Sequence, residues 1–376
     1  MFDQILSLFS SLMSQTGLAH FWWGNLLMIA IGVTMVFLAV VKKYEPFLLI
    51  GIGFACIVVN VPGSDLILPG GLFHYAYQGV ALLIVPPLIF LGVGAMTDFG
   101  PMIANPRLVI LGAGAHLGIF VALILAKAIG FSLHEAGAIG IIGGADGPMA
   151  IFVTMKLAPH LLPQISVAAY SYMALMPLIQ PPVMRLLTTK AERDISMPQL
   201  RPVTRLEKIL FPIVIAALVN LFFPPVAPLV TMLMLGNLLR EVLLVGRLAE
   251  TAGGTMLNVI TLVLTTAIGS TMTAENFLTR QTLAIVGLGL IAFVFGTGSG
   301  VVTAKVMNLF LKHKVNPLIG SAGIASVPIA ARVSHQVAHK ANPKNYLIYH
   351  AMGPNLAGVF GTAISGGILL ALLGAR

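Results

Sequence analysis

The sequence predicts an all-α polytopic membrane protein, and three observations carry the prediction. Hydrophobic residues make up 58% of the 376 positions and charged residues only 9%, the mean hydropathy is +0.98, and the apolar runs are long. Those runs are about 15 to 25 residues, the length a helix needs to cross the hydrocarbon layer. Soluble domains carry about a quarter charged residues, and a transmembrane barrel would show short alternating strands instead. The net charge of +9 does not point to nucleic acid, because basic residues cluster in connectors, where they set orientation in the bilayer. The single Cys56 sits in an apolar run, so no intrachain disulfide forms.

Taken in order, Phe2 to about Ser14 is apolar on one face and lacks a signal-peptide basic region. It reads as an interfacial helix ahead of the first span, with Trp22 and Trp23 as interface anchors. Candidate spans follow at about 24–41, 47–61, 79–97, 107–129, 136–156 and 163–187. They continue at about 209–223, 226–241, 252–273, 281–304, 315–335 and 346–373. Pro86-Pro87 interrupts the third and Pro181-Pro182 the lower end of the sixth, while the fifth and eleventh have Gly/Pro-rich centres. Residues 62–78 read as a loop or interfacial stretch.

The longest polar connector, from about Thr188 to Lys208, holds Lys190, Arg193, Arg201, Arg205 and Lys208 against Glu192, Asp194 and Glu207. The positive-inside rule places it in the cytoplasm. If every segment from 47 to 187 crosses, Lys42-Lys43 falls on the opposite side. One basic cluster then breaks the rule, or one segment is re-entrant.

The chain also repeats itself. Ile139, Gly140, Gly143, Ala145, Pro148, Ala150, Val153, Ala158 and Pro163 each match the residue 180 positions later, and Pro46 pairs with Pro228 in similar stretches. Each half has about five spans with the fourth broken, and an odd count implies inverted topology. The expected architecture is about eleven transmembrane helices in two inverted repeats, each with a discontinuous helix, 209–223 being only half inserted. Residues 1–41 are then the interfacial helix and an extra span, and 42–187 repeat 1 with the Asp146 break. Residues 188–225 are the basic connector and extra segment, and 226–376 repeat 2 with the Ser326/Arg332 break.

Of the 12 acidic residues, Asp146 alone sits deep in a span. A lone carboxylate among Gly143-Gly-Ala-Asp-Gly-Pro148, where a broken helix frees backbone carbonyls, reads as a cation site. Hard cations take oxygen ligands from carboxylates, hydroxyls, amides and carbonyls. The following span offers Tyr170, Ser171 and Tyr172; two tyrosines two residues apart leave a helix in different directions, so at most one faces Asp146. In the second half Asn316, Ser321, Ser326, Ser334 and Asn355 are candidates, although small polar residues also glue membrane helices together. Arg332, a buried-looking cation, either neutralises Asp146 or binds an anionic substrate group with its planar fork; the plainer reading is an arginine snorkelling at a span end. His116 and His350 fall within spans, as proton relays or packing residues. No P-loop, GxSxG or Rossmann fingerprint occurs.

The stretches Gly143-Gly-Ala-Asp-Gly-Pro, Tyr170-Ser-Tyr-Met-Ala-Leu-Met-Pro-Leu-Ile-Gln-Pro-Pro and Gly94-Ala-Met-Thr-Asp-Phe-Gly-Pro resemble the beta subunit of sodium-pumping biotin-dependent decarboxylases. So do Asn316-Pro-Leu-Ile-Gly, Val327-Pro-Ile-Ala-Ala-Arg-Val-Ser and His350-Ala-Met-Gly-Pro-Asn. That family covers oxaloacetate, methylmalonyl-CoA and glutaconyl-CoA decarboxylases, and the likeness runs over almost the whole chain. The resemblance implies decarboxylation of a carboxybiotin delivered by a partner, with uptake of a proton and export of Na⁺ across the bacterial inner membrane. It implies catalytic roles for Asp146, Tyr172 and Arg332, with Arg332 toward carboxybiotin, and a Na⁺ site at Asp146, Tyr172, Asn316, Ser326 and Asn355; Gly320 belongs to the same pattern. The implied partners are an alpha carboxyltransferase subunit, a biotin carrier, a small gamma membrane subunit and further copies of this chain; no biotin is attached here. One departure stands out: the family usually reads Val-Ser-Ala-Val-Pro where this chain has Ile324-Ala-Ser-Val-Pro328, which shifts the sodium-site serine by one place. The alternative from a different class is a secondary Na⁺-coupled solute transporter, which would share inverted repeats and broken helices.

Overall fold

A computed structural model describes residues 13, 14 and 16–374; the interfacial helix expected from Phe2 falls almost wholly outside them. The described residues are helical throughout, without strands. The chain forms two compact units, Met1–Ile84 with Val259–Ala284, and Val85–Asn258 with Ile285–Arg376.

The first unit contains α1 (Trp23–Val41), α2 (Pro46–Val59) and α3 (Leu72–Ala81). Gly32 and Gly53 let α1 and α2 approach at backbone distance: a Cβ on either would lie 2.7 Å from the other's carbonyl oxygen. Such small-residue contacts replace the hydrophobic driving force that is missing between helices in lipid. Asn60 ends α2 by donating to the Cys56 and Met272 carbonyls (2.8 and 2.7 Å) and accepting the Ala274 amide (2.8 Å).

The second unit begins with α4 (Val85–Met96), α5 (Val109–Ala115), α6 (Leu117–Ala128), α7 (Leu133–Gly140), α8 (Gly147–Leu157) and α9 (Leu162–Leu187). It continues through α10 (Arg205–Phe222), α11 (Ala227–Val242), the start of α12 (Leu257–Ser270), most of α13 (Arg280–Met307), α14 (Ile329–Ala341) and α15 (Ile348–Leu373). Helices α4 and α11 touch through Gly94 and Gly236, where a Cβ would collide with the Leu233 and Leu91 carbonyls. Beyond the end of α4, Asn237 and Arg240 of α11 donate to the Thr97 and Met96 carbonyls (2.8 and 2.7 Å), and Lys208 of α10 pairs with Asp98 at 2.9 Å. Burial alone would raise the Asp98 carboxyl, but the Lys208 hydrogen bond, the Gly100 amide and the charges of Lys208 and Arg240 outweigh it and hold it below its ordinary value. A depressed carboxylate stabilises the fold above its unfolded pKa of about 4, and this contribution disappears as pH falls through the folded value. Asp98→Asn is therefore expected to lower the melting temperature by a few degrees at pH 7, and by progressively less as pH falls through the folded value. A difference that does not shrink as pH falls would refute the charge contribution.

Two segments of this unit are hairpins rather than crossings. In the first, residues 133–160, α7 leads through a tight turn at Ile141–Gly144 into α8, and the arms lie side by side. A Cβ on Gly137 would stand 3.2 Å from Leu157 Cδ1, and the open end is closed by His160 Nε2 against Glu135 Oε1 at 2.9 Å. In the second, residues 316–345, the short helix Leu318–Ser321 leads through turns and a cis Val327–Pro328 bond into α14. Ser321 and Ser334 join its arms (Oγ to Oγ, 2.9 Å). Both ends of this hairpin grip the same piece of connector. Asn316 donates to the Arg193 and Ile195 carbonyls (2.9 Å each), Asn345 to the same two (3.4 and 3.0 Å), and Asn342 to the Asp194 carboxylate (2.6 Å).

The described helices long and apolar enough to cross a membrane number six, or seven if α3 and α4 form one broken span, against about eleven expected. Two of the missing crossings have a clear physical reason. The apolar runs at 136–156 and 315–335 are each divided between two short arms that turn back, a distinction that run length does not encode.

Candidate functional site

The hairpin tips meet. The Ala325 amide of the second donates to the Gly144 carbonyl of the first at 2.9 Å. At about 1.5 Å per residue, the eleven-residue α8 and the thirteen-residue α14 are about 16 and 20 Å long, together close to the roughly 30 Å hydrocarbon thickness. Hairpins of this length opening on opposite faces would bring their tips to mid-depth, where irregular backbone must be buried in protein or line a cavity.

The sequence Gly143-Gly-Ala-Asp-Gly-Pro builds the first tip. Ala145 takes the left-handed conformation (φ 55°), a strained choice for a residue with a Cβ, and this turns the chain so that Asp146 becomes the N-cap of α8. Its Oδ1 accepts the Met149 amide at 3.0 Å, and the residue is 5% exposed. Pro148, in the first turn of α8, costs no helical hydrogen bond there. Gly147 has to be glycine because the Tyr170 ring lies where its Cβ would be. Of the two tyrosines, Tyr170 therefore stands beside the Asp146 motif, and its buried hydroxyl has no hydrogen-bond partner among the described residues. Tyr172 faces α13 instead: its hydroxyl donates to the Val286 carbonyl, its ring packs on Phe293, and it would meet a Cβ on Gly289.

The second tip is held by amides. Asn355 of α15 donates to the Ala322 and Ile324 carbonyls (3.0 and 2.7 Å) and at 3.5 Å to the Ser326 carbonyl, while its own Oδ1 has no partner among the described residues. Gln180 of α9 donates to the Ser321 carbonyl at 3.0 Å, and its Oε1 is likewise unpartnered. The Ser326 hydroxyl turns to Met176 Sδ at 3.0 Å. Helix α9 thus runs past both tips, Tyr170 against the first and Met176, Gln180 and Met184 along the second, with Met184 Sδ 2.8 Å from Ser321 Oγ. Asn316 lies at the open end of the second hairpin, not its tip; its amide group holds the connector and its oxygen accepts the Leu318 amide at 3.1 Å.

Arg332, expected to be buried, is exposed on the surface of the chain. The reason is its register: Arg332, Gln336 and Lys340, spaced by four, form one exposed polar stripe on α14. His116 is buried between α5 and α6, with Nδ1 2.5 Å from the Gly112 carbonyl and Nε2 2.6 Å from Thr362 Oγ1. Since Nδ1 faces a carbonyl it carries the proton, and Thr362 in turn packs on Gly144. His350 is buried, and its Nδ1 has no partner among the described residues. Gln180 and Thr362 are the functional-site neighbours that sequence reasoning passed over; the signal for Gln180 was an uncharged amide between Ile179 and Pro181 in an apolar run.

An all-helical chain with six or more bilayer-length apolar helices and a polar centre made from broken helices is a multi-pass membrane protein of the ion-transporting kind. Residues 24–373 match the family described as the Na⁺-transporting oxaloacetate decarboxylase beta subunit, and the chain belongs to that family. It is 51% identical to the glutaconyl-CoA decarboxylase subunit beta of Acidaminococcus fermentans over the whole of both chains. It is 52% identical to the methylmalonyl-CoA decarboxylase subunit beta of Propionigenium modestum, covering 96% of this chain and 97% of that one. Against the oxaloacetate decarboxylase beta chain of Haemophilus ducreyi, identity is 44% over 98% of each.

Proposed function

We propose that this chain decarboxylates carboxybiotin presented by a partner carrier and couples that step to Na⁺ export across the bacterial inner membrane. The observation that carries the reading is the junction of the two hairpin tips, with the Asp146 carboxylate on one side and orphaned amide oxygens on the other. In the reaction the N–C bond to the carboxyl group breaks, CO₂ leaves and a proton is taken up by the ureido nitrogen.

The chain's residues supply the rest. Asp146 gives the one anionic oxygen for Na⁺, and Asn355 and Ser326 line the opposite tip, where neutral oxygens suit a hard cation. Tyr172 and Tyr170 are the two phenols on the adjoining helix, and the Tyr170 ring is the one that packs beside the Asp146 motif. Asn316 serves the same tip by fixing its hairpin to the connector. The exposed stripe of Arg332, Gln336 and Lys340 cannot face lipid cheaply. It suits a wet, cationic approach for an anionic carboxylate, which Arg332 would receive with its fork.

The hairpins also favour two inverted repeats, because tips that meet in mid-membrane put the open ends on opposite faces. A first hairpin that does not cross removes one crossing between Lys42-Lys43 and the connector. Both basic clusters then face the cytoplasm, as the charge rule asks. Export needs two states that differ in Na⁺ affinity, and rigid motion of the paired hairpins against the flanking helices would supply them. The partners are an alpha carboxyltransferase, a biotin carrier, a small gamma membrane subunit and further beta copies.

In proteoliposomes holding the complete decarboxylase, avidin is expected to abolish both decarboxylation and the sodium uptake it drives. Substrate-driven uptake that persists under saturating avidin would sink the carboxybiotin reading and favour a secondary Na⁺-coupled transporter.

A further inference from the structure

We infer that Gln180 is an additional oxygen ligand of the transported cation, on the side of the second hairpin; this rests on the proposed sodium site. Gln180 is 0% exposed. Its orientation is not ambiguous, because the group facing the Ser321 carbonyl at 3.0 Å has to be the donor. The oxygen therefore points elsewhere, and it has no donor among the described residues. An unsatisfied buried acceptor costs about 1–3 kcal/mol, a penalty that a bound cation or its hydration water removes.

Position strengthens the case. Met176 and Gln180 are one helical turn apart on α9. Met176 faces Ser326 and Gln180 faces the Ser321 carbonyl, so Gln180 looks onto the unwound segment between Ser321 and Ser326. From α15 Asn355 does the same, with its amide group on the carbonyls of Ala322 and Ile324 and its oxygen without a partner among the described residues. Two buried amides thus treat one unwound segment alike, each holding carbonyls with nitrogen and keeping an oxygen in reserve. The Gln180 nitrogen is accounted for by its bond to the Ser321 carbonyl, and only the oxygen is left over among the described residues.

The chemistry predicts different behaviour from two variants. Gln180→Leu removes the oxygen and the grip on Ser321 together. Gln180→Glu keeps an oxygen and adds charge, but a carboxylate cannot donate to the Ser321 carbonyl. The readout is the sodium concentration that half-maximally raises the melting temperature of the purified full-length chain in detergent, which reports binding without turnover. For Gln180→Leu the half-maximal concentration is expected to rise about tenfold or more, with the sodium-free melting temperature within a few degrees of the parent. Gln180→Glu is expected to stay within a few-fold of the parent. Unchanged sodium binding in Gln180→Leu overturns the proposal, and so does equal weakening in both variants, which would leave only the grip on Ser321. Asp146→Asn run alongside separates the two levels. If it loses sodium stabilisation while Gln180→Leu keeps it, only Gln180 is wrong; if Asp146→Asn also keeps it, the sodium site itself is misplaced.

Discussion

Asp146→Asn is expected to abolish sodium-dependent decarboxylation and sodium transport together while leaving the fold in place. Asp146 caps α8 through Oδ1 and the Met149 amide, and asparagine is as good an N-cap as aspartate. The Ala145 turn, the Gly147–Tyr170 contact and the Ala325–Gly144 hydrogen bond do not involve the carboxylate. What is lost is one negative charge at a cation site. A unit charge pair at 4 Å and an effective dielectric of 20 is worth about 4 kcal/mol, or roughly a thousandfold in affinity. Activity should therefore fall to background at millimolar sodium with little change in melting temperature without sodium. Decarboxylation that remains coupled to transport would remove Asp146 from the site.

Much of this arrangement was legible in the residues, and the parts that were not have physical causes. The two broken motifs could be found because a break needs Gly and Pro at fixed places, so a 180-residue shift brought Gly143, Ala145 and Pro148 onto Gly323, Ala325 and Pro328. Whether a broken apolar run crosses or turns back depends on what its ends bind. Those contacts, Glu135 with His160 and three asparagines with residues 193–195, join positions too distant for any periodicity to connect. Arg332 is exposed: an apolar neighbourhood in sequence does not fix which stripe of α14 faces out. Helix geometry sends Tyr170 and Tyr172 in different directions, and the ring against Gly147 shows which of them neighbours the Asp146 motif. The shifted serine is instructive in the same way. The position the family gives to serine is Ala325 here, and its backbone amide, not its side chain, makes the bond to Gly144; Ser326 turns its hydroxyl to Met176.

The contact between the second hairpin and α13 supports the other large effect. Gly320 and Gly300 meet backbone to backbone, and a Cβ on either would collide with the carbonyl of the other. Both obstacles are main chain, so no rotamer change relieves them. Gly320 is also fixed from its own hairpin, where Asn316 anchors the entry to Arg193 and Ile195 and Ser321 bonds Ser334. Gly320→Ala is therefore expected to destabilise the chain by about 3 kcal/mol, the upper end of what overpacking usually costs, and Gly300→Ala by a similar amount. Because both remove one shared approach, the double variant should cost clearly less than the sum of the two single changes. If the costs simply add, α13 and the second hairpin are not in backbone contact when the protein unfolds. If hairpin 2 slides past α13 during transport, the two states will not share this contact. Sodium, by selecting one state, should then change the size of the Gly320→Ala effect on melting temperature. An effect independent of sodium would instead make the hairpin and α13 a single rigid body, and place the moving surface elsewhere.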